Sequence, residues 1–530
     1  MTNNYNITQF FATYAETNNT EIAIVSPSID DNLHITSETS YTYGDIYKLT
    51  TEYRAGLIKQ GYVKGDRIII LMPIDIEFYA LMLAIFSLGL VAVFLDPGIG
   101  FKKIIVALQD SKAKAIISIE KLLKYRWFIP PLWLKDKYSA DGKGLFLQEL
   151  SSLKIKTTDP IIPEILSPSD HALITFTSGS TGRAKGTNRN AINLYNQIDI
   201  IKNSWACDST EIDFPTFPMF GFLNLCFGIK TVIPAVNFSE VGRMSPGVII
   251  EQIKQHNVTR MSGAPRFLGQ VIDHAYKNNI SLEKVNNIVL GGASITKDFC
   301  KKMIHVFPNA QLNMVYGSTE AAPIAFTPLE ELAEAEGDGS LVGRPIPEIT
   351  VNIVKLPTNI NTFDSRGSSP YLLDNNVIGE IIIKGPHVVQ GYVDNENADS
   401  KNKITDIDGD RWHRTGDMGY FDSQNRLWLT GRQSDMIHYQ DRLIQPYIVE
   451  QEINALDNIK RAAIIQQEKN SNVYLILQLK DNDKKIHSLN ATLEKLNISF
   501  VKIQFVDEIP VDDRHNSKID RIRLKKMVTS

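Results

Sequence analysis

Residues 172–186 read ALITFTSGSTGRAKG. The opening run, Ala172-Leu173-Ile174-Thr175-Phe176, is apolar and β-rich and predicts a buried strand. From Thr177 the composition changes to glycines and hydroxyls, TSGSTGRAKG. Gly179, Gly182 and Gly186 permit tight backbone turns. Successive N–H groups and the hydroxyls of Ser178, Ser180 and Thr181 can then converge on an anion, with Lys185 adding a positive charge at the end of the loop. The implied chemistry is the cradling of phosphate or pyrophosphate. The spacing G-x-x-x-x-G-K-[ST] of a Walker loop is absent. Taken alone, the stretch could also be a plain flexible Ser/Gly loop.

Similar apolar runs recur on both sides: Arg67 to Met72, Ala115 to Ile119, Lys230 to Pro234, Asn287 to Leu290 and Gln311 to Tyr316. Amphipathic stretches such as Pro246 to His256 lie between them, and this alternation predicts α/β layers with largely parallel sheets. Near Gly379 the pattern changes to short strands and turns (GEIIIKG, GYFD, RLWLTG), a smaller antiparallel β region. After Arg432 charged helices and strands restart, which places a domain boundary near Gln433. The stretch Thr358 to Pro370 is polar and reads as a surface loop. Phe78 to Leu95 (FYALMLAIFSLGLVAVFL) has no charge and just meets the length of a membrane span. Gly89 divides it, so a buried helix followed by a strand is expected, and a peripheral membrane contact stays open.

The chain has 530 residues, 43% hydrophobic and 22% charged, with a formal net charge of −4. That charge gives no basic surface for a nucleic-acid backbone, so nucleic acid is not an expected partner. The cysteines Cys207, Cys226 and Cys300 form no CxxC pair and are odd in number. A reducing cytoplasm therefore fits better than a disulfide framework. The N-terminus lacks the basic-then-apolar pattern of a secretory signal.

Two further segments suggest nucleotide chemistry. YGSTEAAP, residues 316–323, follows another apolar strand. Tyr316 offers a face for a base, Gly317 a turn, Thr319 a hydroxyl and Glu320 a hard oxygen ligand for Mg²⁺. In HRTGDMGYFD, residues 413–422, Asp417 could accept hydrogen bonds from ribose hydroxyls, although an ordinary turn aspartate reads the same way. GRQSD (431–435) and PVDDRHNSKIDRIRL (510–524) complete the set.

In order and spacing these segments resemble the adenylate-forming superfamily of acyl-CoA synthetases, luciferases and peptide-synthetase adenylation domains. The resemblance covers nearly the whole chain. It implies an α/β fold: a large N-terminal domain, 1–433, of two layered sheets plus a small β-barrel-like region, and a small mobile α+β domain, 434–530. It implies a ligase that uses ATP and Mg²⁺ to convert a small-molecule acid to an acyl-adenylate. Thr177, Ser178, Gly179, Ser180, Thr181, Gly182 and Lys185 match the pyrophosphate loop. Gly291, Gly292, Ala293, Tyr316 and Gly317 match the adenine pocket, and Thr319 the α-phosphate contact. Glu320 matches the metal ligand, Asp417 and Arg432 the ribose contacts, and Asp435 the hinge. Lys518 matches the lysine that bridges the attacking carboxylate and the phosphate.

Closer features are similar to the olefin-pathway β-lactone synthetases, a branch acting on long-chain β-hydroxy acids. They are Asp96 to Gly100, FPMFGFLN (217–224), Val342 to Pro345 and PVDDRHNSKI (510–519). Proteins with these features are also labelled fatty-acid–CoA ligases. His438 and Asp441 stand where CoA ligases usually carry lysine and glycine, and Gly221 where many carry a gating histidine. CoA is thereby left open as acceptor. The apolar residues of 217–228 suit an acyl chain and equally suit plain core. The segment lacks the aspartate of amino-acid-activating domains, and no fused carrier domain is expected. A non-catalytic nucleotide-binding protein of the same fold is the alternative of another class.

Overall fold

The computed structural model describes residues 4–96, 100–142, 144, 147–177, 184–205, 207–238, 243–355, 362–365, 371–440, 442–467, 472–481, 486, 488–498, 501–511 and 519–529. The run at 172 forms the strand His171–Thr177, buried along most of its length. It pairs in parallel with Val91–Leu95, Leu95 opposite Phe176, and antiparallel with Lys185–Asn190, Thr177 opposite Lys185. From that edge the sheet continues through Arg67–Leu71, Ala115–Ser118, Asp136–Ser139 and Gln148–Glu149, all in parallel.

The charge-free stretch 78–95 divides at its glycine. Ile76–Ser87 is a helix whose residues are almost all buried, started by the Asp75 side chain accepting from the N–H of Phe78. Gly89 adopts φ 64°, and the strand Val91–Leu95 follows. Among the described residues no helix is long and apolar enough to cross a membrane.

A second sheet runs in the order Ala321–Pro328, Gln311–Ser318, Asn287–Gly291, Arg260–Gly263, Ile212–Pro215, Lys230–Val232, Ile22–Ile29, Ile35–Thr42. Its outermost pairs are antiparallel and the inner ones parallel. Parallel strands buried on both faces need helices over them. Pro246–Gln255, Pro265–Lys277 and Lys297–Val306 supply that cover, with Ile253, Leu268 and Met303 in the core.

The chain divides into two compact units. The first comprises Met1–Ala333, Ile346–Ile349 and Gly385–Lys401 and holds both sheets just described. The second comprises Glu334–Pro345, Thr350–Lys384 and Asn402–Ser530, so it takes in the antiparallel region as well as the residues after 433. Its strands run Thr350–Val354, Gly379–Lys384, Arg411–Phe421, Leu427–Arg432, Ser340–Pro345. Among the described residues no closed barrel is formed by these strands. Most of the expected loop at 358–370 lies outside the described residues, but Thr362–Phe363 pairs with Thr405 and Asp406. The C-terminal part packs Pro446–Asn454, Leu489–Lys495 and Arg521–Thr529 with a three-stranded sheet of Ile459–Gln466, Val473–Leu479 and Lys502–Phe505.

Candidate active site

Cross-strand pairing fixes where the glycine-rich loop leaves and rejoins the sheet of the first unit. Thr177 and Lys185 face each other at the end of the hairpin. Ser178, Gly179, Ser180, Thr181 and Gly182 lie outside the described residues. Gly186 is required by packing, since a Cβ there would stand 2.9 Å from the Phe176 ring. Lys185 is only 8% exposed, and its Nζ lies 5.4 Å from the centre of the Tyr392 ring. A cation over an aromatic face is stabilised by about 0.5–2 kcal/mol.

Tyr392 arrives from a distant part of the sequence. The N–H of Val393 donates to the carbonyl of Gly186 at 2.8 Å. Upstream, Asn193 Nδ2 donates to the carbonyls of Pro386 and Val388, both at 3.2 Å. His387 Nε2 donates to the carbonyl of Pro323 at 2.7 Å, and burial holds the His387 pKa below the usual histidine value. The segment after Gly385 is thus laced to the glycine-rich hairpin and to the turn that follows Glu320.

The strands Asn287–Gly291 and Gln311–Ser318 are parallel neighbours, with Gly291 opposite Val315. Their carboxyl ends therefore bring residues 291–293 and 316–320 to one edge of the sheet, where open α/β sheets bind ligands. Tyr316 is buried there, and Gly292 adopts φ 90°, a conformation that favours glycine. A Cβ at Gly317 would come within 3.0 Å of the Ala321 carbonyl.

Glu320 is held at three atoms. Its N–H donates to Ser318 Oγ at 3.2 Å, its carbonyl accepts from the N–H of Val389 at 2.9 Å, and its Oε1 accepts from the Tyr392 hydroxyl at 2.9 Å. Burial, reinforced by the Glu320 carboxylate, raises the Tyr392 pKa, so the phenol stays a donor. Arg189 Nη2 donates to the carbonyl of Thr319 at 2.8 Å. Enclosure in protein brings the guanidinium down to about 10, against the opposing pull of Glu320. The first unit thereby joins Lys185, Arg189, Thr319, Glu320 and Tyr392 into one connected group.

In the second unit Asp417 and Arg432 face each other across a hairpin, with Arg432 Nε 2.9 Å from Asp417 Oδ1. Thr415 Oγ1 accepts from the N–H of Asp417, and Gly416 takes φ 69°. Asp435 ends a 3₁₀ turn, and its Oδ2 accepts from Arg521 Nε at 3.2 Å. The same guanidinium makes two 2.8 Å bonds to Glu450 and one to the carbonyl of Ile464. His438 pairs with Leu443 in a short hairpin. Lys518 and Asp441 lie outside the described residues.

The acid-binding stretch forms the helix Pro218–Phe227 in the first unit. Phe222, Leu223 and Leu225 are plain core, whereas Phe217, Met219, Phe220 and Phe227 are only half-buried. Gly221 is packed against Tyr79: a Cβ would stand 2.3 Å from the phenol oxygen.

A glycine-rich hairpin at a strand end, a carboxylate held by a phenol and an apolar helix thus all stand in the first unit. The sequence model of one family, described as AMP-binding enzyme, matches residues 11–393. The chain belongs to the AMP-binding enzyme family. Like its relatives there, this AMP-binding enzyme is an acid-activating, AMP-forming enzyme that uses ATP and a small-molecule substrate. It is similar to an olefin beta-lactone synthetase of Stenotrophomonas maltophilia, 27% identical over 90% of this chain and 91% of that one. It is also similar to 4-coumarate–CoA ligase 2 of Nicotiana tabacum, 24% identical over 89% of this chain and 86% of that one. Among solved structures, O-succinylbenzoate coenzyme A synthetase from Bacillus subtilis in complex with AMP shares the fold, with TM-score 0.76 and 20% identity over 97% of this chain and 98% of that one.

Arg189 and Tyr392 were not legible as site residues. Arg189 stands among polar residues of an ordinary-looking strand, KGTNRN, and Tyr392 is one of 19 tyrosines. The pairing of Thr187 with Tyr392 and the bond from Val393 to Gly186 bring Tyr392 to the hairpin that carries Arg189.

Proposed function

We propose that this AMP-binding enzyme activates a β-hydroxy fatty acid and closes it to a β-lactone. The reading is carried by the acid-side helix: Gly221 is sealed by Tyr79, and Phe217, Met219 and Phe220 offer an apolar lining for an acyl chain. Similarity to an olefin beta-lactone synthetase along nine-tenths of the chain supports the same acceptor.

In the first step a carboxylate oxygen bonds to the α-phosphorus of ATP, and the bond to the bridging oxygen breaks to release pyrophosphate. Negative charge approaches negative charge, so the protein must position the groups and neutralise them. The loop 177–186 with Lys185 holds the leaving phosphates, and residues 291–293 with Tyr316 and Gly317 hold the adenine. Thr319 meets the α-phosphate, and Asp417 with Arg432 meets the ribose. Lys518 supplies a point cation, delivered by a mobile domain, 434–530, that turns about Asp435.

No cluster of three or more metal-ligating side chains occurs among the described residues. A single carboxylate suits Mg²⁺, which keeps waters and takes phosphate oxygens as its other ligands, so Glu320 fits the role. Bound there, Mg²⁺ would supply Lewis-acid neutralisation of phosphate charge. Tyr392 orients the Glu320 carboxylate, and Arg189 fixes the backbone of Thr319.

In the second step the β-hydroxyl oxygen bonds to the acyl carbon, its proton is lost and AMP leaves. An acceptor within the same molecule gains a large effective concentration over a free thiol. Similarity to a 4-coumarate–CoA ligase favours a second reading, transfer to CoA. Mass spectrometry of products from racemic β-hydroxy acids and from plain fatty acids, each with ATP and with or without CoA, separates the two. A β-lactone formed without CoA is expected. Rapid thioester formation from plain fatty acids, with no lactone from the hydroxy acids, would leave the CoA ligase.

A further inference from the structure

Residues 121–137 of the first unit read KLLKYRWFIPPLWLKDK, with five basic side chains against one acidic, in a chain whose net charge is −4. They follow the strand Ala115–Ser118 as a short helix, Glu120–Leu123, and two 3₁₀ turns, Lys124–Phe128 and Pro130–Leu132. In 3₁₀ geometry side chains three residues apart eclipse one another. Leu123, Arg126, Ile129 and Leu132 keep that spacing, and all four are buried. The same repeat leaves Leu122, Tyr125 and Phe128 exposed, with Lys121, Lys124 and Trp127 exposed beside them. Phe128 is 82% exposed and Leu134 100%. Trp133 is also exposed, and its Nε1 donates to the carbonyl of Trp127 at 3.3 Å, which holds the indole against the first turn.

Scattered exposed apolar residues are ordinary on a protein surface, but a contiguous group of this size marks an interaction surface. Its composition says what kind. Tryptophan and tyrosine carry an apolar body and a polar tip suited to a headgroup layer, and lysine stems can lie along apolar surface while the ammonium reaches a phosphate. The exposed Lys121 and Lys124 stand in a stretch, 120–137, with five basic against two acidic side chains, Glu120 lying 3.9 Å from Lys124, and an anionic bilayer matches that net positive charge without demanding shape complementarity. We propose that this patch seats the protein on an anionic lipid bilayer. Tyr125, Trp127, Phe128, Trp133 and Leu134 enter the boundary between headgroups and acyl chains, and Lys121 and Lys124 meet the lipid phosphates. The proposal does not depend on which acid the enzyme activates.

The test uses the full chain and vesicles of phosphatidylcholine, alone or mixed with phosphatidylglycerol. Co-sedimentation should be about tenfold or more tighter on the mixed vesicles and should weaken as salt is raised. Of the five tryptophans, Trp205, Trp412 and Trp428 are buried, so a lipid-induced blue shift of emission reports on Trp127 and Trp133. That shift should vanish in W127F/W133F. Phe128→Ser with Leu134→Ser should weaken binding about tenfold or more, and Lys121→Gln with Lys124→Gln should remove the preference for phosphatidylglycerol. All four side chains are exposed, so the melting temperature should not move. Absence of vesicle binding at every composition, or binding unchanged in F128S/L134S, would overturn the proposal. Lipid-free oligomers that F128S/L134S dissolves would overturn it too, assigning the patch to a second copy of this chain.

Discussion

The two units hold their carboxylates in different ways. In the second, Glu450 is gripped by two parallel bonds from Arg521, and Glu380 accepts from Arg414 Nε at both oxygens, at 3.1 and 3.0 Å. Both glutamates are buried. In the first, half-buried Glu320 accepts from the phenol of Tyr392 at 2.9 Å. A guanidinium cancels the charge it binds, and it leaves a costly orphan if removed. A phenol fixes the geometry without cancelling the charge. Under the proposed function, the difference separates carboxylates that hold the fold together from one that would receive a cation.

The harshest way to break this contrast is Arg521→Ala. It strands the buried Glu450 and should destabilise the second unit by about 3–5 kcal/mol, read from urea unfolding. The pair replacement Arg521→Met with Glu450→Gln should recover much of that loss. A loss under about 1 kcal/mol for the single variant would show that the pair is not structural.

Next in size is Lys518→Ala. It should slow ATP–pyrophosphate exchange by about a hundredfold or more while nucleotide binding stays nearly unchanged. Near-normal exchange would remove Lys518 from the mechanism.

Glu320→Gln and Tyr392→Phe sharpen the comparison itself. The first removes the charge, and exchange should fall by about tenfold or more with a raised Mg²⁺ requirement. The second removes only the orienting bond, a net effect of about 0.5–1.5 kcal/mol, and should raise the Mg²⁺ requirement by less. Equal effects would mean that Tyr392 does more than orient.

The smallest effect is expected from His387. Its pKa is lowered in the fold by burial, while an unfolded histidine titrates near about 6.5. The unfolded chain therefore binds the extra proton first, and the stabilisation is present above about 6.5 and lost as pH falls through the lowered folded value. Thermal melts from neutral to mildly acidic pH should show wild type losing more stability than His387→Gln, whose amide can still donate to the Pro323 carbonyl.

The sequence made the parallel strands legible because each was an apolar run ending in a change of chemistry, as at Phe176–Thr177 and Val315–Tyr316. It also made Glu320 legible, since an acid after a strand-end glycine stands out. Ile35–Thr42 (ITSETSYT) gave no such signal: it is a polar outer strand that pairs on one side with Ile22–Ile29. Arg189 and Tyr392 escaped for a different reason. Each is ordinary within its local stretch, and its meaning comes from a partner far along the chain. The β-rich region from Gly379 was recognised as strands, but no local feature announced that Gly385–Lys401 folds with the first unit.

That returning segment constrains how the gene can be recombined. The chain leaves the first unit after Ala333, visits it again at 346–349 and once more at 385–401. A crossover between two relatives anywhere from 324 to 384 would take Glu320 and Pro323 from one parent and their Tyr392, Val389 and His387 partners from the other. Such offspring inherit an untested clamp even when both parents are active, whereas a crossover just after Lys401 passes the clamp on whole. Sequence variation at 187–193, 319–323 and 386–393 should therefore travel together as one heritable block.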